Sequence, residues 1–416
     1  MTTQQSNPNR RTIILVVVAV LVLLIAIGAY IDQTTQPVLI SGPMVQIPEP
    51  DAITVVWEME ASLSRGAVRL TDTQGAERVE EATTSQQRYE VTFEDLAPGA
   101  DYSYAVINRG VLGRETTVAG PFATATVPPR GQPIRFVAFG DSGVGSLSQA
   151  ALADLITDAQ PDVVIHTGDL VYGIGAPEDY FTNFFEPNAA LIRSVPFMPS
   201  LGNHDCVTEF GKPYLDMFML PPNGPPGIEL ERNYWFDYGD ARFVALDSNK
   251  AAQKQSGVIT EEQMKTVVAP WLRDVLTDCD ARWKFVFFHH PFYTGSNHQA
   301  EGAAYVKEAY VDVFEACGVD IVFAGHNHLY ERTAPILRDE IVGEDKGVVY
   351  ITTGAGGARR YPMNLPPPHY IRAYNDKALS FTQVDLTANR LELKQIGDEG
   401  QVLDEYVIEK ATSPGA

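Results

Sequence analysis

The sequence predicts three structural parts: an N-terminal apolar helix, an all-β sandwich, and an α/β domain in which strands alternate with helices. Three observations carry this. An unbroken apolar run opens the chain, period-two alternation fills residues 39–127, and from Ile134 strand-length apolar runs alternate with helical patterns. A length of 416 residues also exceeds what one compact core usually holds.

From Ile13 to Ile31 the chain is apolar and carries no charge until Asp32. A helix needs about 20 residues to cross a bilayer core, and this run has roughly that length. Arg10 and Arg11 stand just before it, so the positive-inside bias makes residues 1–12 a short cytoplasmic tail and sends the rest outward. A cleaved signal peptide competes, since Ala26 to Ala29 offers small residues, but apolar cores of such peptides run to about 7–15 residues. Length favours an uncleaved membrane anchor over 13–31, and either reading exports the remainder. Residues 32–38 read as a polar stalk.

The strands expected next are Ile53–Trp57, Ala67–Leu70, Tyr89–Phe93 and Tyr102–Val106, separated by turn residues. In Leu96-Ala97-Pro98-Gly99-Ala100-Asp101-Tyr102 a tyrosine enters a strand just past a turn, where its hydroxyl can bond back across it. No titratable cluster occurs here, so the region reads as a spacer or packing module. Pro128, Pro129 and Gly131 punctuate the boundary before a domain over 131–416. There, Ala151, Leu152, Leu155, Ile156 and Ala159 mark one helix. Met264, Val267, Val268, Trp271, Leu272 and Val275 mark a second, with Thr260 and Gln263 spaced as a capping box and Pro270 set to interrupt it. Cys317 ends the apolar stripe of a third helix and reads as a small core hydrophobe. Cys206, Cys279 and Cys317 are otherwise too few and too scattered for a disulfide framework or a thiolate zinc site.

A balance of 31 basic against 53 acidic residues gives a formal charge of -22. Such a surface disfavours nucleic acid and anionic headgroups as partners, and a phosphate ligand would need bound cations to invert the local field.

Chemistry concentrates at strand ends. Five apolar runs end in Asp141, in Asp169, in Asn203-His204-Asp205, in His289-His290 and in His326 with His328; Tyr172 follows Asp169 closely. Ligand sites of α/β sheets lie at the C-terminal ends of strands. In four of the five a glycine (Gly140, Gly168, Gly202, Gly325) precedes the polar group and permits close backbone approach. Two carboxylates beside several imidazoles need cations to coexist, and a donor set of oxygen and nitrogen without thiolate suits iron, zinc or manganese. His166, inside a strand, reads as a core or supporting group. His290 stands beside His289 and could line the site, although in a regular strand its direction would be opposite to its neighbour's, and His369 in a Pro-rich loop reads as a surface residue.

In order, the blocks Gly140-Asp141-Ser142-Gly143, Gly168-Asp169-Leu170-Val171-Tyr172, Gly202-Asn203-His204-Asp205, Val286-Phe287-Phe288-His289 and Gly325-His326-Asn327-His328 resemble those of the calcineurin-like metallophosphoesterases. Tyr172 narrows the resemblance to the purple acid phosphatases, whose longer members also carry a fibronectin type III-like domain ahead of the catalytic one. The resemblance implies a four-layer αββα catalytic sandwich and a dinuclear centre of ferric iron plus a divalent Fe, Zn or Mn. It places Asp141, Asp169, Tyr172 and His328 on the ferric ion and Asn203, His289 and His326 on the second metal, with Asp169 bridging. His204 and His298 would face the substrate without binding metal. The activity implied is hydrolysis of small phosphate monoesters by metal-bound hydroxide, outside the cytoplasm. A phosphodiesterase or nucleotidase on the same centre is the alternative, and a non-catalytic surface-binding protein the second. Asp205 departs from the glutamate common in the purple subgroup.

Overall fold

The computed structural model describes residues 8–34, 38–60, 65–85, 87–110, 112, 114–251, 258–298, 302–343 and 346–411. A helix runs from Pro8 to Thr34, and its stretch Thr12–Tyr30, with mean hydropathy 3.2, is long and apolar enough to cross a membrane. The stalk expected from residue 32 therefore begins as helix. Ile31-Asp32-Gln33-Thr34 holds no breaker, and the first proline comes only at position 37.

Residues 39–125 form two four-stranded sheets. One orders Leu39–Gln46, Ile53–Met59, Arg88–Phe93 and Thr83–Ser85; the other orders Glu77–Glu81, Arg65–Asp72, Asp101–Arg109 and Glu115–Ala125. Trp57, Val55, Phe93, Val68 and Val106 are buried between them. The Tyr102 hydroxyl accepts from the Ala97 N–H at 3.2 Å, closing the turn over Pro98 and Gly99.

The remaining chain builds two large sheets, packed face to face, and a small two-stranded one of Ile336–Leu337 and Glu340–Ile341. In the six-stranded sheet, Phe197–Pro199, Val163–His166 and Ile134–Phe139 run parallel, and Ser380–Leu386, Arg390–Gly397 and Val402–Glu409 extend it antiparallel. In the seven-stranded sheet, Ala241–Ala245, Trp283–Phe287, Ile321–Ala324 and Val349–Thr353 run parallel at its centre. Period-two alternation gives these strands two buried faces. Phe243, Phe285 and Phe323 point inward, and all three rings meet Phe136 of the opposite sheet, two of them at centroid distances of 5.0 and 4.9 Å. The outward residues Val244, Val286 and Val322 pack under the helices Ala269–Thr277 and Ala304–Ala316. The helix Leu147–Asp158 lies on the outer face of the other sheet, sending Leu152 and Ile156 into its core. Helix, sheet, sheet, helix is the four-layer order expected from the sequence.

Thr260 and Gln263 form the capping box, and the helix they open passes through a π turn, Met264–Val268, before regular helix resumes at Ala269. Pro270 cannot donate a backbone bond, which explains the interruption at that point. Cys317 sits one residue beyond its helix, half-buried against the helical layer rather than inside it.

The β-sandwich is fastened to the two α/β sheets. Met44 and Val56 belong to the same buried cluster as Phe136 and Phe197. Gln46 is fully buried; its amide donates to the Phe197 carbonyl at 2.7 Å and accepts from the Met219 N–H at 3.1 Å. The buried Tyr104 hydroxyl donates to the Arg193 carbonyl at 2.7 Å. Of the two sequence readings, packing module describes the contact and spacer does not. A Gln46→Leu variant leaves both backbone partners buried and unpaired, which should destabilise the protein by ~2 kcal/mol in urea unfolding. An unchanged midpoint would show that this contact does not contribute.

Candidate metal centre

The site lies where the parallel strands of both sheets end. After Phe139, His166 and Ala324 the chain turns sharply, and Asp141, Asp169 and His326 take φ values of 59°, 54° and 65°. Non-glycine residues seldom occupy this region, and a cluster of them marks a backbone held in place by its surroundings. The preceding glycines serve close approach. A Cβ on Gly168 would lie 2.7 Å from the Gly202 nitrogen and 2.8 Å from His289 Nδ1; one on Gly202 would lie 2.1 Å from the Asp169 nitrogen.

The turns bring all seven side chains named as ligands from the sequence to one place, in two groups. In the first, the Tyr172 hydroxyl lies 2.8 Å from His328 Nε2 and 3.3 Å from Asp141 Oδ1, and His328 Nε2 lies 3.3 Å from the same carboxylate oxygen. In the second, Asn203 Oδ1 lies 3.0 Å from His289 Nε2 and 2.9 Å from His326 Nδ1. Asp169 Oδ1 stands 3.4 Å from His289 Nε2, and single ligand atoms of Asp141, Asp169 and His289 fall within 4.8 Å of one another, so Asp169 lies between the groups.

The donor set fits cations. His289 Nδ1 donates to the Thr167 carbonyl at 2.8 Å and His328 Nδ1 donates to the Arg359 carbonyl at 2.7 Å. In the neutral rings each Nε2 is then a lone pair turned inward, a common way of fixing a ligand imidazole. His289 Nε2 faces Asn203 Oδ1, Asp169 Oδ1 and, at 3.2 Å, His326 Nδ1, while His326 Nε2 is buried with no partner among the described residues. The field also calls for positive charge. Burial opposes it, yet the Asp169 and Asp141 carboxylates push His289 up to about 9. Burial and the same two carboxylates push the Tyr172 phenol well above its ordinary value, so a phenolate there requires a neighbouring cation.

His204 and His298 flank the groups without joining them. His204 Nδ1 donates to the Gly173 carbonyl at 3.0 Å, and its ring lies 4.8 Å from that of Tyr172. His298 is exposed, with its ring 5.7 Å from His326. His166 is a supporting group: its Nε2 meets Ser142 Oγ at 3.0 Å, and burial pushes it down to about 3. His369 is exposed.

Of the two directions open to His290 in the sequence, the structure shows the one toward the site. The strand ends at Phe287, so alternation no longer governs, and the His290 ring packs 4.7 Å from His326 with Nδ1 held by Ser248 Oγ at 2.9 Å. Sequence reasoning also missed Tyr361, whose ring stacks on both His298 and His328, because it lies in a loop outside every strand-end block. Asp205, the departure from the purple subgroup, has a definite place: it is buried and accepts from the N–H groups of Gly202 at 2.9 Å and Leu170 at 3.0 Å, tying two ligand turns together.

Residues 134–330 match the calcineurin-like phosphoesterase family, and residues 347–405 match the iron/zinc purple acid phosphatase-like protein C family. The chain belongs to the calcineurin-like metallophosphoesterases. Among curated relatives of this metallophosphoesterase is an uncharacterized protein of Mycobacterium tuberculosis, 24% identical over 65% of this chain and 58% of its own. Purple acid phosphatase 18 of Arabidopsis thaliana is 28% identical over 62% of this chain and 61% of its own. Probable inactive purple acid phosphatase 24 of the same plant is 26% identical over 76% and 56%. The matched part thus spans under two thirds of these relatives. In fold, the chain superposes on purple acid phosphatase PPD1 of yellow lupin with a TM-score of 0.75, at 20% identity, over 90% of this chain and 74% of that one.

Behind the site, the buried Glu331 carboxylate accepts from the Gly295 N–H at 2.7 Å and the Thr352 hydroxyl at 3.1 Å, bracing the loop that leads to His298. Burial pushes its carboxyl up to about 7. The folded state then holds a proton that the unfolded chain releases at lower pH, so this group's contribution falls as pH rises from the ordinary glutamate value through about 7. Wild type should therefore lose stability relative to Glu331→Gln across that window, by at most about 1.4 kcal/mol per pH unit, in denaturant titrations at several pH values. Parallel stability curves would contradict it.

Proposed function

We propose that the protein is an extracytoplasmic acid phosphatase, held at a membrane by its N-terminal helix, that hydrolyses phosphate monoesters at a centre of ferric iron and a divalent metal. The observation that carries the reading is the pair of ligand groups sharing Asp169, with the imidazoles of His204 and His298 beside them. Asp141, Tyr172 and His328 would hold one ion, Asn203, His289 and His326 the other, and Asp169 would touch both. Bound there, two cations would offset the charge of the phosphate and acidify a water molecule.

The protein's own groups complete the chemistry. Because His204 Nδ1 is committed to the Gly173 carbonyl, its Nε2 is the atom left for a phosphoryl oxygen. His298 stands at the outer side, where a protonated imidazole gives its proton to the departing oxygen. Burial and the neighbouring His328 push His298 below its ordinary value, which confines that proton to acid conditions. The -22 charge of the chain keeps other anions away unless the centre attracts them.

Some relatives are named probable inactive phosphatases, but each of the seven ligand positions is filled here and converges, which favours turnover over a purely binding role. The His298 position favours monoesters over diesters. p-Nitrophenyl phosphate should be hydrolysed at acid pH at least about ten times faster than its bis-ester, because the monoester offers the two cations one more unesterified oxygen. The reverse order would turn the reading to a phosphodiesterase. Tyr172→Phe should retain iron and remove the visible absorption band of a ferric tyrosinate; a colourless, iron-loaded wild type would exclude Tyr172 as a ligand.

A further inference from the structure

Tyr361 stands between the two halves of the site. One face of its ring stacks on His298 and the other on His328, each with centroids 4.1 Å apart and interplanar angles of 20° and 14°. The slab is anchored on its inner side. The Tyr361 N–H donates to the His328 carbonyl at 3.0 Å, while His328 Nδ1 donates to the carbonyl of Arg359, two residues earlier. The segment and the imidazole are therefore tied at both ends.

His298 lacks such ties. Its main-chain N–H donates to Ser296 Oγ at 3.2 Å, but no hydrogen bond reaches its ring among the described residues, and the side chain is exposed. A face-to-face stack fixes the plane of a ring and leaves both nitrogens at its edge free to turn toward a substrate. Apart from a tilted contact with the His326 ring at 5.7 Å, no other described ring contact relates His298 to the ligand groups.

We infer that Tyr361 is a positioning residue that holds His298 at a fixed offset from the metal centre, so that its proton reaches the departing oxygen of the substrate. This rests on the reading of His298 as proton donor. In that step water bonds through its oxygen to phosphorus and releases a proton to solvent, the P–O bond to the leaving group breaks, and its electron pair goes to the leaving oxygen. That oxygen takes the His298 proton. An alkoxide is too basic to leave without the proton, whereas p-nitrophenolate leaves well unaided. Tyr361 thus controls which leaving groups the enzyme handles, and displacement of a catalytic group by one ångström costs about a hundredfold.

The test uses the full-length, metal-loaded chain in detergent, with p-nitrophenyl phosphate and glycerol 2-phosphate as paired substrates. Turnover of both by wild type is the precondition; its absence would strike the phosphatase reading itself. Tyr361→Ala should lower kcat on glycerol 2-phosphate ~10- to 100-fold more than on p-nitrophenyl phosphate, with metal content by elemental analysis unchanged. Tyr361→Phe, which keeps the stack, should restore the wild-type ratio. In a His298→Ala background the Tyr361→Ala change should have no further effect on that ratio. Equal losses on both esters, loss of metal from Tyr361→Ala, or a Phe variant that behaves like Ala would each overturn the inference. The last result would make the hydroxyl, rather than the ring face, the working part.

Discussion

Asp141 and Asp169 reach the ends of neighbouring strands fully buried, and among the described residues their ion-pair partners are imidazoles only. Removing a carboxylate from water without a counter-charge costs several kcal/mol, so two in one pocket are a strong constraint on everything around them. The pocket answers it locally. Main-chain N–H groups of His326 and His204 point at the two carboxylates, at 2.9 to 3.0 Å, and the imidazoles are turned so that their inner nitrogens face the same space. Cations would complete the neutralisation that these groups begin. The strained turns at Asp141, Asp169 and His326 follow from the same demand, since only sharp reversals carry three chains into so small a volume.

Those turns need rigid supports, and the four layers provide them. Parallel strands buried on both faces leave their ends little freedom, and Asp205 fastens the second and third turns to each other. The β-sandwich extends the support. It packs Met44, Val56 and Gln46 against the strand Phe197–Pro199, whose continuation carries Asn203 and His204. The β-sandwich thus bears on the site through packing and the Gln46 and Tyr104 hydrogen bonds, without supplying any of the seven ligand side chains.

Much of this was legible in the sequence because it is periodic or local. Continuous apolar runs such as Phe285-Val286-Phe287 and Ile321-Val322-Phe323 mark strands with two buried faces, and polar residues at the ends of several such runs point to one site. The capping box at Thr260 and Gln263 was legible for the same reason. What escaped depends on tertiary context. The direction of His290 was open in the sequence because the strand stops at Phe287, and no spacing rule announces where a strand stops. Tyr361 lies far along the chain from the rings it stacks on, so no window of sequence contains the contact. The docking of Gln46 on Phe197 joins residues 151 positions apart.

Two cations shared through Asp169 are what the arrangement of the site requires. Anomalous scattering from crystals of the metal-loaded protein, recorded at the iron and zinc absorption edges, tests this directly. Two peaks should appear, one among Asp141, Tyr172 and His328 and the other among Asn203, His289 and His326, about 3.5–4 Å apart with the Asp169 carboxylate touching both. A single peak, or two that do not share Asp169, would contradict it.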